Sequence, residues 1–419
     1  MTRERLTFVI AAHNEELVLP QLHPRLCAVL DGLAGIDGHI LYVDDGSSDT
    51  TWSLIASLAQ ADPRVSALKL SRNFGKEAAL TAGLDHVREG AAMILDADGQ
   101  DPPELVPHFV ERWRELEWDD IGMQIRAKTT RDVERALANP HRSLQDFMAL
   151  ISPAAEAFLP QMAAEAERLT RQRFGNTIGF YVPLYLSNLC ANDCTYCGFS
   201  AGNKVPRRTL NPGEILREAG ALKKLGFDHL LILTGESNKV AVPYFVQALD
   251  LLRPHFSSLS MEVQPMETAE YVELRKHGLN AVLVYQETYH RETYNVHHPK
   301  GRKSDFAYRL DAPDRVGAAG VHKIGLGALF GLEDWRAECF FTALHLRWLE
   351  RKHWQSRYSV SFPRIRPHEG ELQPKVEMTD RDLVQAICAF RLLHGEVELT
   401  LSTRESRRFR DHACRLGVT

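Results

Sequence analysis

Residues Ser187–Phe199 read SNLCANDCTYCGF, and whatever this run holds decides the fold around it. Cys190, Cys194 and Cys197 form a C-x3-C-x2-C triplet with an aromatic residue, Tyr196, directly before the last thiol. Three thiolates so closely spaced can hold three irons of a cubane cluster and leave the fourth iron open. A structural zinc needs a fourth Cys or His at ligand spacing, and none lies nearby in the sequence. Zinc, or thiols that are simply buried, remains the alternative.

Working outward from the triplet, a strand-like run at Ile178–Leu186 leads into it. Similar runs recur at His229–Thr234, Ser258–Val263, Ala281–Gln286, Lys323–Leu329, Arg357–Phe362 and Glu396–Leu401. Helical patterns fall between them, at Pro212–Leu225, Val242–Phe256, Thr268–Lys276, Glu338–His353 and Arg381–His394. Upstream, Trp118 to Gly175 is helical and amphipathic, with an Arg-rich last turn and Gly175 as a stop signal. Seven strands in a repeating β/α unit predict a (β/α) barrel, whose active-site residues sit at strand C-terminal ends. The polar motifs obey that rule: Thr234-Gly235-Glu236, Gln264-Pro265, Gln286 to His290, Pro363 to Arg366 and Ser402 to Glu405. Any one of them could be an ordinary solvated strand end, and their shared placement makes the set a candidate site.

A cysteine triplet beside an aromatic resembles the radical S-adenosylmethionine enzymes. RLTRQRFGNT, FYVPLYLSNLCANDCTYCGFS, HLLILTGES, VYQETYH, SVSFPRIRP and LSTRES together resemble the 2-iminoacetate synthases, the tyrosine lyases of thiamine thiazole synthesis, from about Glu111 to about Asp411. A sister lyase, the maturase of iron hydrogenases, shares several of these motifs. It carries a further C-terminal cysteine motif, where this chain has only Cys414.

The resemblance implies a [4Fe-4S] cluster on Cys190, Cys194 and Cys197, with S-adenosyl-L-methionine at the open iron as the source of a 5′-deoxyadenosyl radical. L-tyrosine would lose a hydrogen from its amino group, and its Cα–Cβ bond would break to give 2-iminoacetate (dehydroglycine) and p-cresol. Tyr196 is cast as a contact to the adenine and Glu236 as the acceptor for the methionine ammonium. A zwitterionic substrate requires a cation for its carboxylate. Arg366 is the first choice, because a guanidinium fork binds a carboxylate bidentately, with Arg364 and Arg404 as alternatives. Gln286, Glu287 and His290 are candidates for the amine and phenol ends, and a structural role suits His290 equally well. His297-His298 lacks the i, i+4 spacing of a helical metal pair. A flavodoxin or ferredoxin is the implied electron donor and the thiazole synthase an implied partner. The resemblance also implies a further strand and closing helices after RDHACRLGVT, so a C-terminally truncated barrel lacking its last strand is expected.

The opening residues follow another pattern. Apolar runs at Leu6–Ala12, His39–Val43, Val65–Leu70 and Ala91–Leu95 alternate with helical stretches at Leu17–Leu33, Thr51–Ala59, Lys76–Val87 and Glu104–Glu115. That predicts a parallel α/β half-sheet. HNEE, DDGSSD and DADGQD stand at strand ends, where open α/β sheets place their ligands. FVIAAHNEE, YVDDGSSDTT, SRNFGKEAALTAGL and ILDADGQDPPEL resemble the N-terminal half of a family 2 glycosyltransferase (GT-A-like) of the polyprenyl-phosphate sugar transferase kind. The resemblance implies Asp45 as a contact to the nucleotide base or ribose. It implies Asp96 and Asp98 as the holders of magnesium or manganese against the sugar-nucleotide phosphates. Gly99 departs from the Leu of many relatives. No acceptor half follows Glu115, and at ERWRE (Glu111–Glu115) the chain passes into the lyase pattern without a Gly/Ser or Pro-rich spacer. The expected organisation is a fusion: a partial transferase at 1–115 and a lyase barrel at 116–419. Sugar-nucleotide transfer, or an inactive chimeric product, is the alternative function.

Composition agrees with two α/β domains. The 419 residues are 44% apolar and 25% charged. The net charge of −5 is dispersed, which argues against a nucleic-acid or membrane-surface role. No run approaches the length of a membrane span, and Glu4, Glu15 and Glu16 interrupt any leader-like start. Cys27, Cys339, Cys388 and Cys414 are too scattered for a disulfide framework. An oxygen-sensitive cluster favours the reducing cytoplasm.

Overall fold

Runs such as Phe8–Ala12 and Leu230–Leu233 are continuously apolar, as parallel strands commonly are, whereas Ser258–Glu262 alternates. The computed structural model describes residues 4–87, 90–98, 101–108, 118–365 and 372–419. Contacts divide the chain into two units, Met1–Glu117 and Trp118–Thr419.

In the first unit, β1 (Glu4–Ala12), β2 (Ile36–Asp44), β3 (Val65–Lys69) and β4 (Ala91–Ile94) pair in the order β3-β2-β1-β4, all parallel. Phe8 stands opposite Ile40 on one side and Met93 on the other. Helices Leu19–Gly32, Thr51–Ala61 and Lys76–His86 connect the strands. Leu19, Leu22 and Leu26 pack with Phe8, Ile10 and Tyr42 in one core. The helix expected over Glu104–Glu115 falls largely outside the described residues; its start is a 3-10 turn at Pro103–Leu105.

The second unit opens with helices Trp118–Arg126, Thr130–Ala138, Leu144–Leu150 and Leu159–Phe174. Thr129 with Asp132, and Ser143 with Asp146, form capping boxes that start two of them, and Gly175 at φ +64° ends the last. Then come β5 (Tyr181–Ser187), β6 (His229–Thr234), β7 (Ser258–Glu262), β8 (Leu279–Leu283), β9 (Lys323–Gly327), β10 (Arg357–Ser361) and β11 (Glu398–Thr400). They pair in sequence order and in parallel, so every connection is a crossover. Helices Pro212–Lys224, Val242–Leu252, Thr268–Lys276, Trp335–Lys352 and Asp380–Leu393 supply most crossovers, as the periodicity predicts. β5 and β11 are the sheet edges, yet Tyr181 of β5 and Thr400 of β11 line the same cavity. The sheet therefore curls until its edges approach, and its concave face encloses Leu231, Leu283 and Tyr285.

The strand patterns overrun the strands at β8 and β9, and the reason is local. Beyond Leu283 backbone bonds to the neighbouring chain continue from Val284 and Gln286 N–H, until Glu287 adopts φ +71° at an isolated bridge to Ala328. A left-handed non-glycine backbone costs about 1–3 kcal/mol and persists only where its surroundings dictate it. No helix among the described residues is long and apolar enough to cross a membrane.

Candidate active site

The cysteine loop is fastened at both ends. Gly235 N–H donates to Ser187 O (2.9 Å) and Ala191 N–H to Glu236 O (2.8 Å). A Cβ on Gly235 would lie 2.3 Å from Leu189 O, so only glycine allows this approach. On the far side, the Arg207 guanidinium donates to the carbonyls of Asn188, Phe199 and Ser200 at 2.7–2.9 Å. Phe199 N–H points at Cys197 Sγ (3.4 Å).

A segment distant in sequence, 291–310, clasps the same loop. Asp193 N–H donates to Lys300 O and Thr195 N–H to His297 O, both at 3.2 Å. Buried Asn192 accepts from Lys303 N–H (3.0 Å) and donates to Glu236 Oε2 (2.8 Å). Gly301, at φ +93°, lies so close that a Cβ would meet Asn192 Oδ1 at 2.2 Å. His298 Nδ1 faces Tyr294 O at 2.7 Å and so carries the proton, which leaves Nε2 to accept from the Tyr196 hydroxyl, also at 2.7 Å. Burial pushes His298 down to about 3, so the ring is neutral. The His297-His298 pair is thus a brace for the cysteine loop.

All three thiols, Tyr196, Glu236 and Glu287 line one cavity of about 1020 Å3 at the C-terminal ends of the strands. Burial raises Cys194 to about 12, and Cys197 also lies above its ordinary value through burial. Bound iron would replace those protons. No three His, Cys, Asp or Glu side chains among the described residues converge as ligands of one ion. Three soft thiols on one cavity wall suit a cluster that offers one iron to each.

A buried ionic group faces the thiols. Arg309 reaches Glu236 Oε1 (2.8 Å) and Glu287 Oε1 (3.4 Å), and Lys303 Nζ reaches Glu287 Oε1 (2.6 Å). Arg309 Nε also donates to Tyr285 O (2.7 Å). Burial pushes the Glu287 carboxyl up, but the Lys303 and Arg309 charges outweigh it and hold the group below its ordinary value. Burial opposes the charge on Lys303 as well, and the facing carboxylates leave its ammonium above its ordinary value. Glu262, at the end of β7, lines the same cavity, and burial, aided by Glu287, raises it to about 7.

Tyr196, Glu236, Glu287 and Arg404 therefore line the cavity with the thiols. Glu236 meets it with both oxygens already bonded, to Arg309 and Asn192. Gln286 does not line it: strand alternation sends the side chain to the opposite face from Tyr285 and Glu287, where both amide atoms are buried and unpaired. His290 is also absent from the wall. Its Nδ1 accepts from Thr293 N–H (3.4 Å) to cap helix Arg291–His297, and its ring packs on Trp118 at 5.2 Å. Arg364 is buried against Glu405 (2.6 Å) and Asp380, a structural pair. Arg366 lies outside the described residues. Sequence reasoning missed Lys303, Arg309 and Glu262. The first two follow β8 by some distance, and only Glu262 carried a signal, as a charge closing a strand.

In the first unit the carboxylates sit at strand ends but are answered locally. Asp45 Oδ1 accepts from Phe74 N–H (2.8 Å) and Oδ2 from Gly75 N–H (2.9 Å). Asp96 pairs with Lys76 Nζ at 2.5 Å, and Asp98 is exposed. Magnesium and manganese take one or two carboxylates with phosphates and water, so Asp96 and Asp98 could supply the protein's share once Lys76 withdrew.

Comparison with known proteins adds three family matches: Glycosyl transferase family 2 over residues 7–173, the Radical SAM superfamily over 184–341, and the Biotin and Thiamin Synthesis associated domain over 361–419. The chain is 58% identical over 312 residues to a 2-iminoacetate synthase of Salmonella typhimurium, covering 74% of this chain and 83% of that one. It is 40% identical over 110 residues to a prophage bactoprenol glucosyl transferase homolog of Escherichia coli, covering 26% of this chain and 36% of that one. The chain thus spans about a third of the length of such glycosyltransferases. The crystal structure of HydG, a maturase of the [FeFe]-hydrogenase, superposes with a TM-score of 0.69 at 28% identity, over 72% of this chain and 70% of that one.

Proposed function

The chain belongs to the 2-iminoacetate synthase family, and on that premise we propose that its second unit cleaves the Cα–Cβ bond of L-tyrosine to 2-iminoacetate and p-cresol. The observation that carries this reading is the wall shared by Cys190, Cys194, Cys197, Tyr196 and the Glu236–Arg309 pair. A [4Fe-4S] cluster with S-adenosyl-L-methionine supplies a 5′-deoxyadenosyl radical there. The protein's share is to orient and to exclude water. Cys190, Cys194 and Cys197 hold the cluster, the 291–310 segment keeps their loop in place, and Tyr196 presents its ring toward the nucleoside. Glu236 serves the methionine ammonium. Glu287, held ionised by Lys303, accepts hydrogen bonds from the substrate ammonium, and Arg366 takes the substrate carboxylate. A flavodoxin or ferredoxin as electron donor, the thiazole synthase as consumer of the product, and a cytoplasmic location complete the assignment. The test is anaerobic reconstitution of the full chain with S-adenosyl-L-methionine and a strong reductant. p-Cresol and 5′-deoxyadenosine are expected together, and neither product from a chain with its full iron complement sinks the reading.

Residues 1–115 form, in our assignment, a nucleotide-binding remnant of a polyprenyl-phosphate sugar transferase. The family 2 match from residue 7 favours it. Titration of a uridine diphosphate sugar with Mn2+ tests it, since heat release that vanishes in Asp96→Ala is required.

A further inference from the structure

The cavity holds one polar group that the protein leaves unanswered. Among the described residues Glu262 makes no hydrogen bond and no ion pair through its carboxyl. Its neighbours are committed elsewhere, except Arg404, which lines the same cavity and makes no bond to it. Tyr285 Oη donates to Ser361 Oγ (2.9 Å), and Ser361 shares a hydrogen bond with Thr400. Lys303 and Arg309 are spent on Glu287 and Glu236. The charges that act on Glu262 are those of Glu287, Lys303, Arg309 and Arg404, and none of them neutralises it by contact. A carboxyl that lines a cavity and has no protein partner there marks where a ligand can complete the bonding.

The walls around it are of another character. Leu231, Leu233 and Leu283 line the cavity and pack with Tyr181 and Tyr285 in one apolar cluster. An apolar slot with a single carboxyl is complementary to a hydroxyphenyl ring. Position also orients the ring along the cavity. The cysteine loop follows β5, whereas Glu262 closes β7, two strands further along the sheet. A substrate with its amino group toward the cysteines thus places the far end of its side chain toward Glu262.

We propose that Glu262 is the specificity-determining residue of this cavity, hydrogen-bonded to the phenol hydroxyl of the substrate while Leu231, Leu233 and Leu283 hold the ring. This rests on the tyrosine lyase reading and deepens it. The carboxyl near neutral pH can accept from the phenol when ionised and can also donate when protonated, so the contact survives in either form. A site built to bond a substrate hydroxyl rejects an analogue without one, because its own group is then left unpaired. L-phenylalanine fills the same slot and leaves Glu262 without a partner.

The test is equilibrium binding of L-tyrosine and L-phenylalanine to the reconstituted full chain with S-adenosyl-L-methionine, for wild type, Glu262→Gln and Glu262→Leu. Wild type is expected to prefer tyrosine by roughly 10- to 100-fold, the range of one hydrogen bond to a charged group. In Glu262→Leu tyrosine weakens by about that factor while phenylalanine binds as well or better, so the preference collapses. Glu262→Gln, which keeps shape and hydrogen-bonding capacity, retains most of it and shows that the fold tolerates the position. Equal weakening of both amino acids in Glu262→Leu, or an unmoved ratio, overturns the proposal. A wild-type chain that makes p-cresol while the ratio stays unmoved overturns this assignment alone. A wild-type chain that binds neither amino acid and makes no p-cresol removes the lyase reading and this proposal with it.

Discussion

Both units place acidic residues at the C-terminal ends of parallel strands, yet the two sets meet different partners. In the first unit, Asp45 is met by the amides of Phe74 and Gly75, and Asp96 by an exposed Lys76. In the second, Glu236 and Glu287 are met by Lys303 and Arg309, drawn from the connection between β8 and β9 and buried with them. Strand-end carboxylates alone therefore do not make a working site. What separates the two is a segment brought over the sheet from far along the chain. It excludes solvent, supplies the cations and leaves one carboxyl, that of Glu262, for a ligand.

Three substitutions break or sharpen this contrast, in descending order of effect. Cys194→Ala removes one of the three thiols we propose as cluster ligands. Iron after anaerobic reconstitution is expected to fall from about four per chain toward zero, with p-cresol below detection. Full iron retention by this variant would assign the metal elsewhere.

Lys303→Met leaves Glu287 buried with only the more distant Arg309, and a loss of about 3 kcal/mol in denaturant unfolding is expected. The pH dependence follows from Glu287. Its folded-state value lies below the ordinary 4.5, so the ion pair stabilises the protein at pH above that value. The stabilisation is lost as the pH falls through the folded-state value. The gap between wild type and Lys303→Met should therefore narrow on acidification below 4.5, as read from paired unfolding curves. A gap that widened on acidification would show that Lys303 is not held by this carboxylate.

Asp45→Ala removes the acceptor for two amides ahead of helix Lys76–His86 and should cost about 1–2 kcal/mol. The loss should appear in hydrogen exchange of residues 72–80 with the p-cresol rate unchanged. A fall in that rate would couple the two regions that the comparison treats as separate.

Much of the lyase cavity was legible before any fold was known. The strand patterns place Glu236, Glu287 and Arg404 at the correct end of the sheet, because side-chain periodicity and turn residues are local properties. Gln286 and His290 stand beside Glu287 in the same motif and do not share its place. Which neighbours face inward depends on alternation along β8 and on the left-handed turn at Glu287, and a list of residues carries neither. Arg364 matches the chemistry of a carboxylate receptor as well as any arginine could, but Glu405 and Asp380 had already claimed it.

By itself the sequence determined that two successive β/α patterns share one chain, and that Cys190, Cys194 and Cys197 form a C-x3-C-x2-C triplet in the second. Spacing and periodicity are enough for both. Tertiary structure alone decided that Lys303 and Arg309 neutralise the cavity carboxylates, that His298 braces Tyr196, and that Glu262 is left unpaired. Each of these depends on groups tens to hundreds of residues apart meeting in low-dielectric surroundings, where pairing sets the energy. No local pattern in the sequence encodes such meetings.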